Sequence, residues 1–374
     1  MPEPISARFI EERFPTLSTM TYLNSAATGM PPITTVNAMK KYLDDRIDAK
    51  GSFEETLNKF KAIRELLANL LGGREDQYAF VASTSAGINS FAHSVQYPSG
   101  SNIVLCDLEF PSNYIPWQNV SRLYNTDLRV VESKNGAAPL EMYKELVDEN
   151  TRVVAVSQVQ FSSGFRSDLK ALAKLVHDVD GFLVSDIIQG AGWARTDLVR
   201  EHVDFAAGQS AKWLIGPIGA GYIYVSDRII DKVIPRFMSW WGVKNITEFE
   251  YFEREPLLDA KKFQIGSPAM VAYVGFLESL KTLLEIPDKI RERAAMDNAE
   301  YMRKRLTEIG IDYYKFPERN RSPIVSCKPN DVENLHKKLH EERIICSVRN
   351  ERLRVSPHFY NTHEDIDRLL GFLR

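Results

Sequence analysis

The sequence predicts an α/β protein with a mostly parallel sheet covered by helices on both faces. Two observations predict this fold class. Short apolar segments recur along much of the chain, and segments with helical periodicity separate them. Strands buried on both faces are typically unbroken apolar runs, and strands that alternate with helices usually pair in parallel.

The first clear element is an amphipathic helix. In NKFKAIRELLANLLGG, residues 58–73, apolar side chains recur on one side, and Gly72 and Gly73 form a stop signal. The segment QYAFVAS, residues 77–83, is then predicted to be a strand. The segment STSAGINSFAHSV, residues 83–95, is predicted to open the next helix.

Further elements follow in the same alternation. The predicted strands are NIVLCDLEF, RVVAVSQVQF, GFLVSDIIQ, VDFAAGQS and GAGYIYVS, and the predicted helix is SDLKALAKLVHDVDG. Asp168 or Ser167 is expected to be the N-cap of this helix. The lengths of the predicted strands are typical of buried strands in an α/β sheet.

The pattern changes over residues 235–265, which are aromatic, loop-like and rich in Gly and Pro. A long helical pattern begins near Ala269. We therefore predict a large domain over residues 15–260 and a small α+β domain over residues 261–374, with residues 1–14 packed on the small one.

The small domain is predicted from short strands and a terminal helix. The strands are PIVSCK, IICSVR and RLRVSP, and the helix is NTHEDIDRLLGFL. Thr362 and Asp365 form an imperfect capping box at its start.

Composition excludes several classes of function. The chain has 374 residues, 44% hydrophobic and 26% charged, and a net charge of -3, which gives no basic surface for nucleic acid. The chain has no long uninterrupted apolar run, so we expect no membrane span, and its charged start has no apolar signal core, so we do not expect secretion. Three widely spaced cysteines (Cys106, Cys327 and Cys346) suit reduced thiols, so we expect a cytoplasmic protein.

Lys212 is the most informative single residue. It lies in DFAAGQSAKWLIGPIGAGYIYVS, between two apolar runs and before a turn rich in Gly and Pro. A lysine in an apolar corner loses its proton more easily, which is the form that makes a Schiff base with a carbonyl cofactor. The alternative is a structural lysine whose stem packs beside Trp213.

Two other polar features follow predicted strands. Residues 83–87, STSAG, lie between a strand and a helix, so their N–H groups and hydroxyls form an anion cradle or a simple helix cap. Asp186 ends an apolar strand and needs a cationic partner, such as a protonated pyridine nitrogen or an arginine. Ligands of open parallel sheets bind at such strand ends.

Seven segments together resemble a known family. They are YLNSAATGMPP, STSAGIN, EFPSNYIPW, SDIIQ, SAKWLIGPIGAGYIYV, FQIGSP and RLRVSPHFYNTHEDIDRL. Their order and the spacing from Asp186 to Lys212 resemble class V aminotransferases, which are fold-type I pyridoxal-phosphate enzymes. That group includes cysteine desulfurases, isopenicillin N epimerase-like proteins and kynureninases.

The resemblance implies that the cofactor is pyridoxal 5'-phosphate. Lys212 would hold it as an aldimine and then move the substrate Cα proton, giving a quinonoid intermediate. Asp186 would pair with the pyridinium nitrogen, and Gln189 would bond the ring phenolic oxygen. Thr84 and Ser85 would bind the phosphate.

The resemblance also implies less specific roles. Ser210 would add a phosphate contact, and Phe110 would stack on the cofactor ring. Ser267 would reach the phosphate of a neighbouring subunit, which implies a homodimer with a shared active site. Arg354 would hold the substrate carboxylate, and Trp241 would wall the substrate pocket. Phe110 as a core aromatic, Ser267 as a turn residue and Arg354 as a surface ion-pair partner are the alternatives.

Departures from the family pattern narrow the reaction. Cysteine desulfurases carry histidines where Phe110 and Ala211 stand, and a nucleophilic cysteine on a loop before the substrate arginine. Cys346 lies instead in an apolar strand, which disfavours a desulfurase that uses a protein thiol. Phe110 and the Trp240–Gly242 loop look more like the kynureninase and isopenicillin N epimerase side of the family.

The sequence therefore predicts a class V aminotransferase-like enzyme that acts on an amino acid, a small-molecule substrate, by transamination or epimerisation. A lyase, either kynureninase-like or a C–S lyase, is the alternative. A protein that binds the cofactor with little catalysis, or a purely structural α/β protein, is the alternative of another class. His336 and His340 have helical spacing but no evident third ligand, so no metal site is predicted.

Overall fold

The computed structural model describes residues 5–247 and 254–373. The helices are α1 (Ala7–Arg13), α2 (Ile33–Ile47), α3 (Phe53–Leu71), α4 (Thr84–Ala92), α5 (Ile115–Tyr124), α6 (Leu140–Lys144), α7 (Leu169–His177), α8 (Met270–Leu284), α9 (Asp288–Glu308), α10 (Val332–Glu341) and α11 (His363–Leu370). The strands are β1 (Thr21–Tyr22), β2 (Tyr78–Val81), β3 (Asn102–Cys106), β4 (Asp127–Val131), β5 (Thr151–Ser157), β6 (Phe182–Asp186), β7 (Phe205–Gln209), β8 (Gly221–Val225), β9 (Asp312–Tyr313), β10 (Val325–Lys328), β11 (Ile344–Ile345), β12 (Ser347–Arg349) and β13 (Arg352–Val355).

A seven-stranded sheet forms the centre of the molecule, in the order β2-β8-β7-β6-β5-β3-β4. The strands from β7 to β4 pair in parallel, and β8 runs antiparallel to both of its neighbours. The predicted α/β class with a mostly parallel sheet is therefore confirmed. Every residue of β3, β6 and β8 is buried, which explains why these strands are continuous apolar runs.

Apolar side chains pack on both faces of this sheet. Within β3, Val104 belongs to one core cluster, whereas Ile103 and Leu105 belong to the other, because successive side chains of a strand point to opposite faces. Helices α3, α7 and α8 contribute to the first cluster, and α2 packs against α8. Helices α4 and α5 cover the opposite face through residues such as Phe91 and Trp117.

A second, antiparallel sheet has the order β12-β13-β10-β9 and forms the predicted C-terminal α+β unit. Its own core includes Met302, Leu339, Leu353 and Ile366. Leu23, which follows β1, joins this core, since β1 pairs in parallel with β11. The start of the chain thus reaches the C-terminal unit.

The predicted helix caps are confirmed, and the domain boundary stays a prediction. Asp168 accepts a hydrogen bond from the N–H of Ala171, and Thr362 and Asp365 form a reciprocal capping box. Residues 1–4 lie outside the described residues, whereas Arg13 pairs with Glu285 at 3.0 Å.

No helix within the described ranges is both long and apolar enough to cross a bilayer.

The sheet brings several strand ends to one edge. Ser157, Asp186 and Gln209 end the parallel neighbours β5, β6 and β7. Strand β2 is parallel to β7, because both are antiparallel to β8, so Thr84 begins its helix at the same edge. Open parallel sheets bind ligands at this edge.

Candidate active site

Lys212 lies in the turn between β7 and β8, and its backbone is held by the segment after β1. The N–H of Gly29 donates to the carbonyl of Ala211 at 2.8 Å. A side chain at position 29 would not fit, because its Cβ would lie 1.8 Å from the carbonyl oxygen of Lys212. The Lys212 amine lies 5.6 Å from the centre of the Phe110 ring, and the residue as a whole is half-buried. It is therefore fixed in position yet able to meet a ligand.

Trp213 anchors the residue beside it. Its indole N–H donates to Oε1 of Gln189 at 2.8 Å, and Gln189 donates to the carbonyl of Ala26 at 2.9 Å. The backbone oxygen of Trp213 lies 3.0 Å from Nε2 of His358. Gln189 therefore lies next to the lysine turn, with its side chain already bonded within the protein.

His358 was missed as a site residue by the sequence analysis. Burial lowers the pKa of His358 to about 3, so the ring is neutral. Because Nδ1 of His358 accepts from the N–H of Phe359, Nε2 carries the proton and donates it to the backbone carbonyl of Trp213. Its position within RLRVSPHFYN, a segment of the family resemblance, was the available signal.

Asp186 is 2% exposed at the end of β6. Burial raises the pKa of Asp186 to about 7, while the N–H of Ile188, which donates to Oδ1 at 2.9 Å, and the charge of Lys212 oppose the rise. Burial likewise lowers the pKa of Lys212 to about 8, against the attraction of Asp186. An acid and a base that both titrate near neutral pH are typical of catalytic sites.

Glu109 is a second buried carboxylate that the sequence analysis missed. It accepts hydrogen bonds from the N–H and hydroxyl of Ser157 and from the amides of Gln160 and Asn113, at 2.5–2.8 Å. These bonds tie the loop that carries Phe110 to the end of β5. The signal was available, because Glu109 follows an apolar strand just as Asp186 does.

The start of α4 supplies polar groups for an anion. Ser83 caps the helix by accepting from the N–H of Ala86 at 3.1 Å. The Thr84 hydroxyl is buried and lacks a hydrogen-bond partner among the described residues. The Ser85 hydroxyl lies 2.6 Å from that of Ser112, two residues after Phe110. The first N–H groups of a helix have no intrahelical partner, so this end can bind a negative charge.

Arg354 lies on β13 and is 1% exposed, and its charge acts on Lys212. Its Nε donates to the Ser347 hydroxyl at 3.2 Å and its Nη1 to the carbonyl of Phe161 at 2.8 Å, while the buried Nη2 has no partner in the described structure. The Phe161 ring packs edge-on against Phe110 at 5.1 Å. Burial lowers the pKa of Arg354 to about 9, and the charge of Arg349 adds to the effect.

Three predicted residues are not brought into these contacts. The Ser210 hydroxyl is buried and donates to the carbonyl of Pro217. Trp241 packs edge-on against Phe60 at 5.5 Å. Ser267 lines two surface cavities of about 440 and 530 Å³, the second together with Trp241, and Lys212 lines neither. Their predicted roles stay predictions.

The described residues contain no group of three or more His, Cys, Asp or Glu side chains arranged for a metal. Nε2 of His336 lies instead 3.2 Å from the carbonyl oxygen of Cys346.

The family is decided by a comparison over nearly the whole chain. The model of the family described as "Aminotransferase class-V" matches residues 21–369. The chain belongs to the class V aminotransferases. The predicted family, its fold type and its dependence on pyridoxal phosphate are thereby confirmed.

Two curated relatives have the same level of identity and different names. The "Uncharacterized aminotransferase YcbU" of Bacillus subtilis is 27% identical over 358 residues, covering 94% of this chain and 93% of the relative. A "Probable cysteine desulfurase" of Methanothermobacter thermautotrophicus is 27% identical over 390 residues, covering 97% of this chain and 96% of the relative. This class V chain is thus similar to proteins named for two different reactions.

Solved structures agree on the fold. C-DES, described as a cystine C–S lyase in complex with its product cysteine persulfide, has a TM-score of 0.88 at 20% identity, covering 96% of this chain and 99% of C-DES. A C-DES variant with glycine linked to the pyridoxal-phosphate cofactor gives 0.89 at 20% identity, covering 97% and 98%. At this identity the likeness establishes the architecture of the class V chain.

Proposed function

We propose that this class V chain is a pyridoxal-phosphate-dependent enzyme that transaminates or epimerises an amino acid. One observation carries the proposal: a lysine of lowered pKa feels the charges of a buried carboxyl of raised pKa and of a buried arginine with a free donor. Proton transfer near neutral pH needs groups whose pKa values lie close to the working pH.

The residues of the cleft fit the cofactor. The unpartnered hydroxyl of Thr84 at the start of α4 suits its phosphate, together with Ser85 and, by the family pattern, Ser210. The buried carboxyl of Asp186 suits a protonated ring nitrogen. When bound, pyridoxal phosphate supplies a carbonyl for the substrate amine and a ring that accepts electrons from Cα.

Other side chains would orient the ring. Phe110 is 40% exposed, so its ring is free to cover one face of a ligand beside Lys212. Gln189 keeps a second amide hydrogen beyond the one donated to Ala26, and this hydrogen could reach the phenolic oxygen.

Arg354 and Lys212 would act on the substrate. The unpartnered Nη2 of Arg354, with its neighbouring N–H groups, would bind the α-carboxylate as a fork. The amine of Lys212, with a pKa of about 8, would remove the Cα proton and return it to the same carbon or to another atom. Protonation of Cα on the opposite face by a second donor gives epimerisation, and delivery of the proton by Lys212 to another atom leads to transamination.

A C–S lyase is the second candidate, and the cysteines limit its form. The names of one curated relative and of C-DES favour this chemistry. All three cysteines, however, are buried, and burial raises the pKa of Cys327 and that of Cys346 to about 12. A lyase reaction here would therefore expel a β-substituent into solution, without transfer to a protein thiol.

Product analysis tests the proposal. We expect the purified protein to gain visible absorbance on titration with pyridoxal phosphate and to lose it with borohydride. With a panel of amino acids, transamination yields more than one equivalent of 2-oxo acid per site only when an acceptor oxo acid is present, and epimerisation yields the D-isomer. Release of ammonia without an acceptor would establish the lyase instead. A protein that stays colourless with added cofactor would contradict the proposed function.

We propose further that the active site is shared in a homodimer, with Ser267 reaching the partner's phosphate. Ser267 lines surface cavities that do not include Lys212, and it shares one of them with Trp241, which supports a role for both residues at a partner's site. A closed homodimer with two-fold symmetry is the commonest assembly for such proteins.

Subunit mixing tests the shared site. Lys212→Ala and Ser267→Asp should each be impaired alone, the second because a carboxylate repels the phosphate. A hybrid dimer would keep one intact site, so an equimolar mixture that re-equilibrates should regain about a quarter of the native activity if subunits pair at random. Activity no higher than the average of the two variants, or a monomer in light scattering, would contradict the shared site.

A further inference from the structure

The two faces of the small antiparallel sheet differ in character. Strand β13 pairs with β12 and with β10, in a register that places Arg354 opposite both Ser347 and Ser326. One face packs in the C-terminal core through Val325, Cys327, Val348, Leu353 and Val355. Because side chains alternate along strands, the intervening residues lie on the opposite face.

That opposite face carries three arginines: Arg349, Arg352 and Arg354. Ser326 and Ser347 lie among them. Three buried atoms on this face, Nη2 of Arg354, Nε of Arg352 and Oγ of Ser326, lack a hydrogen-bond partner among the described residues. Buried donors without partners cost free energy, so this face is suited to a ligand that supplies acceptors.

The arginines on this face outnumber the carboxylates that pair with them. Arg352 pairs with Asp312 at 2.8 Å. Within the described ranges, neither Arg354 nor Arg349 has a carboxylate within 4.0 Å, and Arg349 donates instead to the carbonyl of its neighbour Val348 at 2.6 Å. The charge of Arg349 also lowers the pKa values of Lys212 and Arg354, so it acts on the cleft.

One α-carboxylate would neutralise only one of the two unpaired arginines. Arg354 is buried and already bonded to Ser347 and Phe161, so it is held in place for that carboxylate. Arg349 is only partly buried, on the same face and one strand away. Like charges in one cleft are unfavourable unless a second anionic group joins them.

We propose that the substrate is an amino acid whose side chain ends in an acidic group, and that Arg349 binds that group while Arg354 holds the α-carboxylate. The inference rests on the proposed function and names its substrate class. A site built around a charged donor rejects the uncharged analogue, because the donor is then left without its partner. Side-chain carboxylates and sulfinates share the required chemistry.

Paired substrates test the inference. We expect the enzyme with cofactor to prefer L-aspartate, L-glutamate or L-cysteinesulfinate over L-asparagine and L-glutamine. Arg349→Gln should lower kcat/KM for the acidic substrate about 10- to 100-fold, the effect of one charge-assisted hydrogen bond. It should leave kcat/KM for the amide substrates unchanged, and Arg349→Lys should restore part of the preference for the acidic substrate.

Lys328→Gln is the matched control. Lys328 lies on the same face of the sheet, at its exposed end opposite Asp312, so the variant removes one positive charge away from Arg354. Its kcat/KM for both substrate types should stay near the native value. The inference would be overturned if Arg349→Gln lowered kcat/KM equally for acidic and amide substrates, or if the native enzyme preferred the amides.

Ligand binding provides a readout without turnover. Succinate and its monoamide succinamate lack an amino group, so their calorimetric binding to the enzyme with cofactor reports recognition alone. Succinate should bind about tenfold or more tightly than succinamate, and Arg349→Gln should abolish this difference. Equal binding of the two ligands contradicts the inference even if amino acids are turned over. A protein that turns over no amino acid contradicts the proposed function itself.

Discussion

Replacing Lys212 by alanine is expected to lower turnover by at least about 10³-fold, because one group both activates the substrate and transfers its proton. The fold should persist, since Gly29 and His358 hold the backbone of this turn and Gln189 holds the Trp213 indole, through bonds that do not use the Lys212 side chain. Titration with pyridoxal phosphate should also fail to produce the absorbance that borohydride removes.

Lys262→Met is the matched control for a buried lysine. Lys262 is 8% exposed, burial lowers its pKa too, and its amine donates to the carbonyls of Ile230 and Val233. The variant should lower the free energy of unfolding, because two carbonyls lose their partner, while each folded molecule keeps its activity. If Lys212→Ala retained more than a tenth of native turnover, the role of Lys212 would be wrong.

Asp186→Asn is expected to have opposite effects on activity and on stability. Turnover should fall about 10²-fold or more, since a neutral amide cannot hold a protonated ring nitrogen in a buried site. The bond from Ile188 can persist to the amide oxygen, so local structure is kept.

The effect on stability depends on pH. Because burial raises the pKa of Asp186 from 3.8 to about 7, the folded state favours the protonated carboxyl. The stability that it contributes is complete below pH 3.8 and is lost as pH rises through about 7, up to about 4 kcal/mol at 1.36 kcal/mol per pKa unit. Asparagine does not titrate, so without cofactor the variant should exceed the native protein in unfolding free energy at pH 8 more than at pH 5.

Urea unfolding at the two pH values measures this difference, and Glu201→Gln is the matched control. Burial also raises the pKa of Glu201 to about 7, but Glu201 lies between β6 and β7, outside the contacts that join Lys212 and Arg354. Its replacement should alter the pH dependence of stability and leave turnover unchanged. An Asp186→Asn protein with native turnover, or with the native pH dependence, would contradict the assignment.

The sequence predicted those elements whose burial leaves a local pattern. Strands β3, β6 and β8 are buried at every residue, and each stands out as an apolar run. Strand β4 and helix α2 were not predicted from the sequence. Only Val131 of β4 is buried, and only Thr35 of α2 is, so neither has a clear apolar periodicity.

Position after a buried strand also identified the first site residues. Asp186 is the last residue of β6 and the Lys212 turn follows β7, and strand ends of a parallel sheet meet at one edge. The same rule applies to Glu109, which shows that the signal was present and unused. It does not apply to His358, whose contact with the lysine turn spans most of the C-terminal half of the chain.

The sequence by itself determined the buried strands of the sheet and the residues that follow them, because local burial leaves a periodic pattern in the chain. The resemblance of its motif segments indicated the family. Only the tertiary structure decided which distant groups share the cleft. It brings Arg354 to Phe161 and leaves the arginines of β12 and β13 on one face, while Trp241 packs on Phe60. These contacts depend on how the two sheets pack together, and periodicity within a segment carries no record of that packing.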